Sequence, residues 1–186
     1  MAAPHRIRII GGANRGRQVP VATVAGLRPT PDRVRETLFN WLGQDLSGAS
    51  TLELYAGTGV LSLEALSRGA ALAVAVDRNP ALIRALSATA AKIGAQGLET
   101  HTADAFIHLR GERRRFDVVF LDPPFAEAPW DALFGALEAV IGDDSFVYAE
   151  ARRPLTPPKT LDVVRRSRAG GVHYHLLARN ALSSTR

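Results

Sequence analysis

The chain has 186 residues, 46% hydrophobic and 22% charged, with no cysteine and a formal net charge of +5. This length and composition predict a single globular domain, 1–186, and no apolar run approaches the roughly 20 residues of a membrane helix. The lack of cysteine excludes disulfides, thiolate metal sites and a cysteine nucleophile. Because the first residues also lack the apolar stretch of a signal peptide, a cytoplasmic location is expected.

The positive charge is concentrated near the N-terminus. Residues 1–35 contain seven arginines and a single acid, Asp32, whereas acids slightly outnumber bases in the rest of the chain. A local basic excess of this kind favours a polyanionic partner, and its alternative is a solvated surface in an Arg-rich proteome. The candidate contacts are Arg6, Arg8, Arg15, Arg17, Arg28 and Arg33.

The N-terminal segment is predicted to form a β-hairpin over residues 5–22. Basic and apolar residues alternate from Arg6 to Ile10, the turn-forming sequence Gly11-Gly12-Ala13-Asn14 follows, and an extended pattern resumes at Arg15. After a linker, Pro31 and Asp32 are typical of a helix start, and apolar residues recur at helical spacing. We therefore expect a helix over 31–44 that leads into the core.

From residue 50 to 180, strand-like and helix-like segments alternate. This order predicts a mostly parallel sheet with helices on both faces, closed at one edge by a C-terminal antiparallel hairpin, and therefore seven strands in an α/β fold. The predicted strands are Thr51–Tyr55, Leu72–Val76, Gly97–Thr102, Phe116–Leu121, Ser145–Glu150, Thr160–Arg166 and Val172–Leu177. The predicted helices are Val60–Ser67, Pro80–Ile93, Ala105–Leu109 and Pro129–Ile141.

The first core strand ends in a small-residue turn, Tyr55-Ala56-Gly57-Thr58-Gly59, that runs into a helix. Small residues allow the backbone to approach a ligand at the carboxyl end of the strand, where open α/β sheets bind ligands, although the glycines could serve the turn alone. Asp77, followed by Arg78, ends the next strand and is suited to accept hydrogen bonds from a ribose diol, with helix capping as the alternative role. This pair of motifs fits a dinucleotide or an adenosine-containing methyl donor.

Two further residues favour S-adenosylmethionine over a dinucleotide. Ser62 stands where the dinucleotide fingerprint has its third glycine, and Glu53 precedes the turn, where an acid would repel a pyrophosphate but could organise an amino-acid group. Asp104 and Ala105 follow the third core strand and could meet the adenine amine. Asp104 is equally suited to cap the helix that begins at Ala105, and the two roles are compatible.

A further motif, Asp122-Pro123-Pro124-Phe125, follows the predicted strand Phe116–Leu121. Two prolines donate no backbone hydrogen bonds and impose an extended, stiff segment, so the acid and the aromatic ring have fixed directions. A carboxylate, a proline carbonyl and a ring in this order are suited to hold a planar, amine-bearing group. The alternative is a proline-stiffened loop.

Together these motifs resemble the class I S-adenosylmethionine-dependent methyltransferases that act on exocyclic amines. Further stretches resemble the bacterial family that methylates a guanine N2 in 16S ribosomal RNA of the small subunit, and the matches extend in order from residue 8 to 125. They are Arg8–Gly12, Arg15–Arg17, Leu27–Thr30, Asp32–Asn40 and Leu63–Gly69. The sequence departs from that family at Glu53, Tyr55, Thr58 and Ser62, where Asp, Phe, Ser and Gly are more common.

The resemblance implies a Rossmann-like fold, S-adenosylmethionine as donor and S-adenosylhomocysteine as product, with no metal. It implies that Asp122 and the Pro123 carbonyl hold the amine of a flipped-out base. It also implies that the segment near Thr30 helps to close over the cofactor, with Thr30, Arg33 or Arg35 as the residue in contact. In the alternative interpretation, Arg33 and Arg35 are solvated helix residues. A monomer is expected, and the implied partner is 16S rRNA, in the small subunit or an assembly intermediate.

Rival functions are a methyltransferase acting on DNA adenine or protein glutamine, a noncatalytic RNA-binding assembly factor, and, more remotely, a dehydrogenase. Glutamine-directed relatives carry Asn rather than Asp first in the amine motif, and DNA adenine enzymes need a larger recognition region. The intact motif with both glycines argues against a noncatalytic protein.

Overall fold

The computed structural model describes residues 6–20, 30–124 and 129–180. Two predicted site residues, Arg28 and Phe125, lie outside the described residues. Within the described ranges, none of the helices is both long and apolar enough to cross a membrane.

Nine strands and five helices make up the described part of the chain. The strands are β1 (Arg6–Arg8), β2 (Gln18–Pro20), β3 (Ser50–Leu54), β4 (Leu72–Asp77), β5 (Leu98–Thr102), β6 (Phe116–Leu121), β7 (Ile141–Ala151), β8 (Leu161–Ala169) and β9 (Val172–Arg179). The helices are α1 (Asp32–Leu42), α2 (Val60–Ser67), α3 (Pro80–Ile93), α4 (Ala105–Gly111) and α5 (Trp130–Leu137).

Strands β3 to β9 form one seven-stranded sheet in the order β5-β4-β3-β6-β7-β9-β8. The first five of these neighbours are parallel, and β9 pairs antiparallel with both β7 and β8. Strand order reverses between β3 and β6, and a crevice at the carboxyl ends of the strands beside such a switch point is where these sheets bind ligands. The predicted mostly parallel sheet, its C-terminal antiparallel hairpin and the N-terminal hairpin β1–β2 are confirmed.

The helices cover both faces of the sheet, as predicted. Helices α1, α2 and α3 pack on the face that carries Phe120 and Tyr148, while α4 and α5 pack on the face that carries Val119 and Leu121. Alternation of side chains along a strand places Asp122, the residue after β6, on the same face as Phe120. The amine motif therefore emerges on the side of the sheet covered by α1.

The helix predicted over Pro129–Ile141 is shorter in the structure. It ends at Leu137, and β7 begins at Ile141, which pairs with Phe116 at the start of β6. The sequence pattern was ambiguous because Leu137, Val140 and Ile141 have helical spacing, and all three are buried in one apolar cluster. The turn after α5 and the start of β7 together produce that spacing.

The N-terminal hairpin is fastened to α2 through two polar side chains. The carboxylate of Glu64, a fully buried residue, accepts hydrogen bonds from the backbone N–H groups of Ile10 and Gly11. Ser67 accepts from the N–H of Asn14 through Oγ and donates to the Gly11 carbonyl. The approach is so close that a Cβ on Gly12, where φ is +74°, would lie 1.7 Å from the Ser67 carbonyl oxygen. Residues 10–14 therefore have one fixed position on the core.

Arg35 is fully buried, so the interpretation of it as a solvated helix residue is wrong. Its guanidinium donates to Glu64, to Asp32 and to the main-chain carbonyl of Arg8. The physical reason is that Glu64 needs a counter-charge once it is removed from water. Arg35 thus links α1, α2 and β1, and its positive charge is buried against these partners inside the protein.

Candidate cofactor and amine site

The turn between β3 and α2 has the backbone geometry that the sequence predicted. Tyr55, Gly57 and Gly59 all have positive φ, of 61°, 56° and 67°, and Ala56 is buried between them. Gly59 also packs against α3, where a Cβ would lie 2.3 Å from a methyl group of Leu86. Glycine at 59 is therefore required both by backbone conformation and by close packing. Tyr55 adopts the same left-handed conformation at the strand end, although it lacks the conformational freedom of glycine.

Asp77 connects this turn to the end of β4. Its Oδ2 accepts from the N–H of Gly57 at 2.8 Å, and its Oδ1 accepts from the N–H of Asn79 at 2.8 Å. The cap of α3 is Asn79, whose side chain accepts from Ala81, so Asp77 is not the capping residue. Because each carboxylate oxygen has a second lone pair, the half-buried Asp77 retains capacity to accept from a diol.

Glu53 is buried below the turn and is held by α2. Its Oε2 accepts from the N–H of Ser62 at 2.9 Å and from the Ser62 hydroxyl. Burial is the main cause that raises the pKa of Glu53 to about 7, and the hydrogen bonds from Ser62 oppose this shift. Two of the four residues at which the sequence departs from the resembled family, Glu53 and Ser62, thus bond to each other, which supplies a physical reason for Ser at 62.

The remaining predicted cofactor residues gather at the same edge of the sheet. Burial raises the pKa of the Tyr55 hydroxyl, the charge of Asp104 raises it further and the charge of Arg78 lowers it. Asp104 caps α4, accepting through Oδ1 from Phe106 and Ile107, and Ala105 is buried at the first helical position. The predicted capping role of Asp104 is observed, and its Oδ2 has no partner among the described residues.

Asp122 follows the last residue of β6, and Pro123 is buried while Pro124 is exposed. Leu121 pairs with Leu54 of β3 on one side and with Ala149 of β7 on the other, so Asp122 lies between the small-residue turn and the end of β7. The residue is half-buried between these elements. This burial, with the carboxylates of Glu150 and Glu53, raises the pKa of Asp122 well above its usual range.

Glu150 and Tyr148 complete an acidic cluster that the sequence reasoning missed. Both lie on β7 and face the same side as Asp122; the Tyr148 hydroxyl donates to Glu150 Oε1 at 2.8 Å, and Thr30 donates to the same oxygen at 3.2 Å. Burial raises the pKa of Glu150, and the two hydroxyl donors oppose the shift. Thr30, predicted at the cofactor, is buried and bonds to this acid across 120 positions of sequence.

A sequence signal for Glu150 existed. An acid at the carboxyl end of an apolar strand singled out Asp77, and Phe146-Val147-Tyr148-Ala149-Glu150 has the same form. Glu64 carried a comparable signal, since it is the one charged residue of α2, whose eight residues are all buried. Charges inside apolar segments are costly unless they have partners, so both positions pointed to specific interactions.

The predicted polyanion-binding arginines of the described N-terminal segment are on the surface. Arg6, Arg8, Arg15 and Arg17 are exposed on the hairpin, and Ile7, Ile9 and Val19 form its buried side. Arg33 is exposed on α1, one position from the buried Val34. The structure therefore leaves five of the six predicted arginines free to face solvent, and the sixth, Arg28, lies outside the described residues.

Comparison with known proteins identifies the relatives of this chain. A family model described as Conserved hypothetical protein 95 matches residues 7–178. This chain belongs to that family.

The family includes curated relatives that match along nearly the whole chain. Ribosomal RNA small subunit methyltransferase D of Escherichia coli K12 is 38% identical over 181 residues, covering 95% of this chain and 91% of the relative. The protein of the same name from Haemophilus influenzae is 33% identical over 195 residues and covers 94% of each chain. The resemblance predicted from the motifs is thereby confirmed.

Solved structures agree with the fold. That of yhhF from Escherichia coli superposes with a TM-score of 0.86 at 38% identity, covering 95% of this chain and 99% of that one. The fold is also that of SMU.776, solved in complex with SAH, with a TM-score of 0.75 at 15% identity and coverage of 96% and 57%. The Rossmann-like class I methyltransferase fold predicted for this member of the Conserved hypothetical protein 95 family is confirmed.

Proposed function

We propose that the chain transfers a methyl group from S-adenosylmethionine to the exocyclic N2 amine of a guanine in 16S ribosomal RNA. The observation that carries this proposal is the position of Asp122-Pro123 beside the turn held by Asp77, at the switch point of the sheet. The names of the curated relatives support RNA of the small subunit as substrate.

The chain offers a group suited to each part of the cofactor. Asp77 would accept from the ribose diol, and the exposed Asp104, next to Tyr55, Arg78 and the buried Ala105, lies where an adenine ring would meet it. Glu53 and the backbone of Tyr55, Ala56, Gly57 and Gly59 line the opposite end of the turn, where the amino-acid group belongs. Bound there, S-adenosylmethionine supplies an electrophilic methyl group on a sulfonium.

The amine would be held by acceptors alone. Guanine N2 is a weak nucleophile because its lone pair is delocalised into the ring. The ionised Asp122 carboxylate and the Pro123 carbonyl accept from its two N–H bonds, which favours a pyramidal nitrogen and directs the lone pair in line with the methyl group. The base must leave its stack to reach this pocket. Pro124 and Phe125 follow directly and would bound the pocket on the side of the ring face.

The acidic cluster suits the proton that the reaction releases. In the transfer, the N–C bond would form as the methyl–sulfur bond breaks and its electron pair stays on sulfur, which leaves S-adenosylhomocysteine. The positive charge that develops on nitrogen would be stabilised by the carboxylate of Asp122. One N–H bond then breaks and its proton passes to a carboxylate oxygen, which forms an O–H bond. The raised pKa values of Asp122 and Glu150 make this pair a better base than an ordinary surface carboxylate.

The proposal is tested by comparing 16S rRNA from cells with and without the gene. Purified protein and isotopically labelled S-adenosylmethionine are then added to rRNA, and to small subunits and assembly intermediates, from the deletion strain, and nuclease fragments are mapped by mass spectrometry. A single N2-methylguanine that disappears on deletion and returns in vitro is expected. Label on adenine, on protein or on no fragment would overturn the proposal, and the three substrates show which particle is recognised.

A further inference from the structure

The C-terminal hairpin forms a basic edge to the sheet. Strand β8 is the edge strand, and its seven residues from Asp162 to Arg168 are all exposed. Three are arginines, Arg165, Arg166 and Arg168, against one acid, Asp162. Charged residues on edge strands commonly prevent pairing with other sheets. Preventing such pairing requires only that the charges repel another strand, and it does not account for the cleft that lies beside β8.

A cleft of about 410 Å³ lies between this hairpin and α1. Its lining comprises Arg33 and Thr37 of α1 and Ser167, Arg168, Ala169, Gly170 and Tyr174 of the hairpin. Within residues 6–20, 30–124 and 129–180, neither Arg33 nor Arg168 forms an ion pair; Arg168 donates through Nε to the Gly170 carbonyl at 2.7 Å. Two guanidinium groups without an ion pair, beside the hydroxyl of Ser167, match the oxygens of a phosphate, whereas the Thr37 hydroxyl already donates to the Arg33 carbonyl.

The cleft opens at the same end of the sheet as Asp122. Arg168 pairs with His173, and His173 pairs with Ala151, the residue after Glu150. Because β6 and β8 are separated by β7 and β9, the strand spacing places Ser167 about 15 Å from Asp122 across the sheet. Arg33 lies in the first turn of α1, three residues after Thr30, whose hydroxyl bonds to Glu150.

Helix α1 connects this cleft to the N-terminal hairpin. A second cleft, of about 640 Å³, lies on its other flank and is lined by Arg15, Gly11 and Gly12 of the hairpin loop and by Glu36, Asn40 and Gln44 of α1 or just after it. The basic N-terminal and C-terminal hairpins therefore lie on either side of one helix, on the face of the sheet from which Asp122 emerges. A strand whose base enters the amine site would extend along this face.

From this arrangement we infer that α1 and the β8–β9 hairpin form a second RNA-backbone site, in which Arg33 and Arg168 bind a phosphate flanking the target nucleotide. The inference rests on the proposed function, since it assigns a further part of the same RNA. Contacts to phosphates position the strand without reading sequence, so the site contributes affinity and register rather than base selection.

The test compares two double variants with the same change in charge. In R33Q/R168Q the proposed site is neutralised. In the control R113Q/R115Q two exposed arginines are neutralised just before β6, at the opposite end of the sheet. Binding of a 30-nucleotide single-stranded RNA and of 16S rRNA is measured between 50 and 200 mM KCl by filter retention, and S-adenosylmethionine binding by calorimetry.

The inference predicts that R33Q/R168Q binds RNA roughly tenfold or more weakly at 0.1 M salt, with a salt slope shallower by about 0.7, the value for one lost phosphate contact on a single strand. Cofactor binding by the single variant R168Q should stay at the wild-type value, which also shows that this variant is folded, and the single variants R33Q and R168Q should each show part of the loss of RNA binding. Equal RNA affinities and slopes for the two double variants would overturn the inference. Absence of methyl transfer by the wild-type protein would instead overturn the proposed function.

Discussion

Arg35 and Glu64 form an ion pair in which both side chains are fully buried, with 3.1 Å between Nη1 and Oε2. Arg68 donates to the other carboxylate oxygen, and two backbone N–H groups of the N-terminal segment complete the set of donors. This one carboxylate therefore joins α1, α2 and the hairpin loop, whose association depends on the presence of a buried positive charge.

Replacing Arg35 with Met should lower the free energy of unfolding by about 1.5–3 kcal/mol, the range for hydrogen bonds to charged groups. The loss is smaller than for an isolated buried pair because Arg68 still faces Glu64. Urea unfolding measures it. The matched control is Arg33→Met, an exposed arginine on the same helix, which should change stability by no more than about 0.5 kcal/mol. Equal midpoints for the two variants would contradict the structural role of Arg35.

Asp122→Asn should abolish methyl transfer and, at the same time, stabilise the cofactor-free protein at high pH. The folded-state pKa of Asp122 is raised, so the folded protein binds more protons than the unfolded chain above pH 4, and its stability falls as pH rises through that window. Asn removes this penalty. Unfolding measured from pH 4.5 to 8.5 should show a variant whose advantage grows with pH, whereas two parallel curves would contradict the raised pKa. Activity within tenfold of wild type would reject the amine-holding role.

Glu150→Gln should shift the acid limb of the pH–rate profile to lower pH. The negative charge of Glu150 is a cause of the raised pKa of Asp122, so its removal lets Asp122 ionise at lower pH. Single-turnover methyl transfer between pH 5 and 9 measures the limb. Glu138→Gln is the matched control, because that acid pairs with Arg179. An acid limb that stays in place in Glu150→Gln would exclude coupling between the two acids.

Asp77→Ala should weaken S-adenosylmethionine binding by about 1–3 kcal/mol. Because Asp77 also holds the N–H groups of Gly57 and Asn79, part of that loss could come from the turn itself. A 2′-deoxyribose analogue of S-adenosylhomocysteine separates the two causes by calorimetry. The wild-type protein should bind the analogue more weakly than the parent compound, and the variant should bind both equally. Equal discrimination in the two proteins would assign Asp77 to the turn alone.

Changing Arg6, Arg8, Arg15 and Arg17 together to Gln should weaken RNA binding and make the salt slope shallower by roughly 0.7–0.9 per lost phosphate contact. All four are exposed, and the buried side of the hairpin is untouched, so folding and cofactor binding should persist. The control changes Arg84, Arg110, Arg113 and Arg115, which are also exposed. If the two quadruple variants bound RNA alike, the hairpin would be a solvated surface.

The features that could be predicted from the sequence are those set by neighbouring residues. The turn at Gly57–Gly59, the cap at Asp104 and the stiff segment after β6 all follow from local backbone chemistry. The features that could not be predicted depend on partners far along the chain: Arg35 meets Glu64 across 29 positions, and Thr30 meets Glu150 across 120. No local pattern states which buried acid will receive which donor. The position of Glu150 at the end of an apolar strand was visible in the sequence, but its place beside Asp122 depended on the sheet order.

Helix α2 has only eight residues, a length of about 12 Å, and every one of them is buried. At one end its Ser62 is tied to Glu53 beneath the small-residue turn, and at the other its Glu64 and Ser67 hold the N-terminal loop. Helix α2 thus fixes the distance between the proposed methyl-donor pocket and the basic N-terminal hairpin. A change in the length of α2 would shift the hairpin relative to that pocket. Insertions in α2 should therefore misalign an RNA substrate even in a protein that folds and binds cofactor.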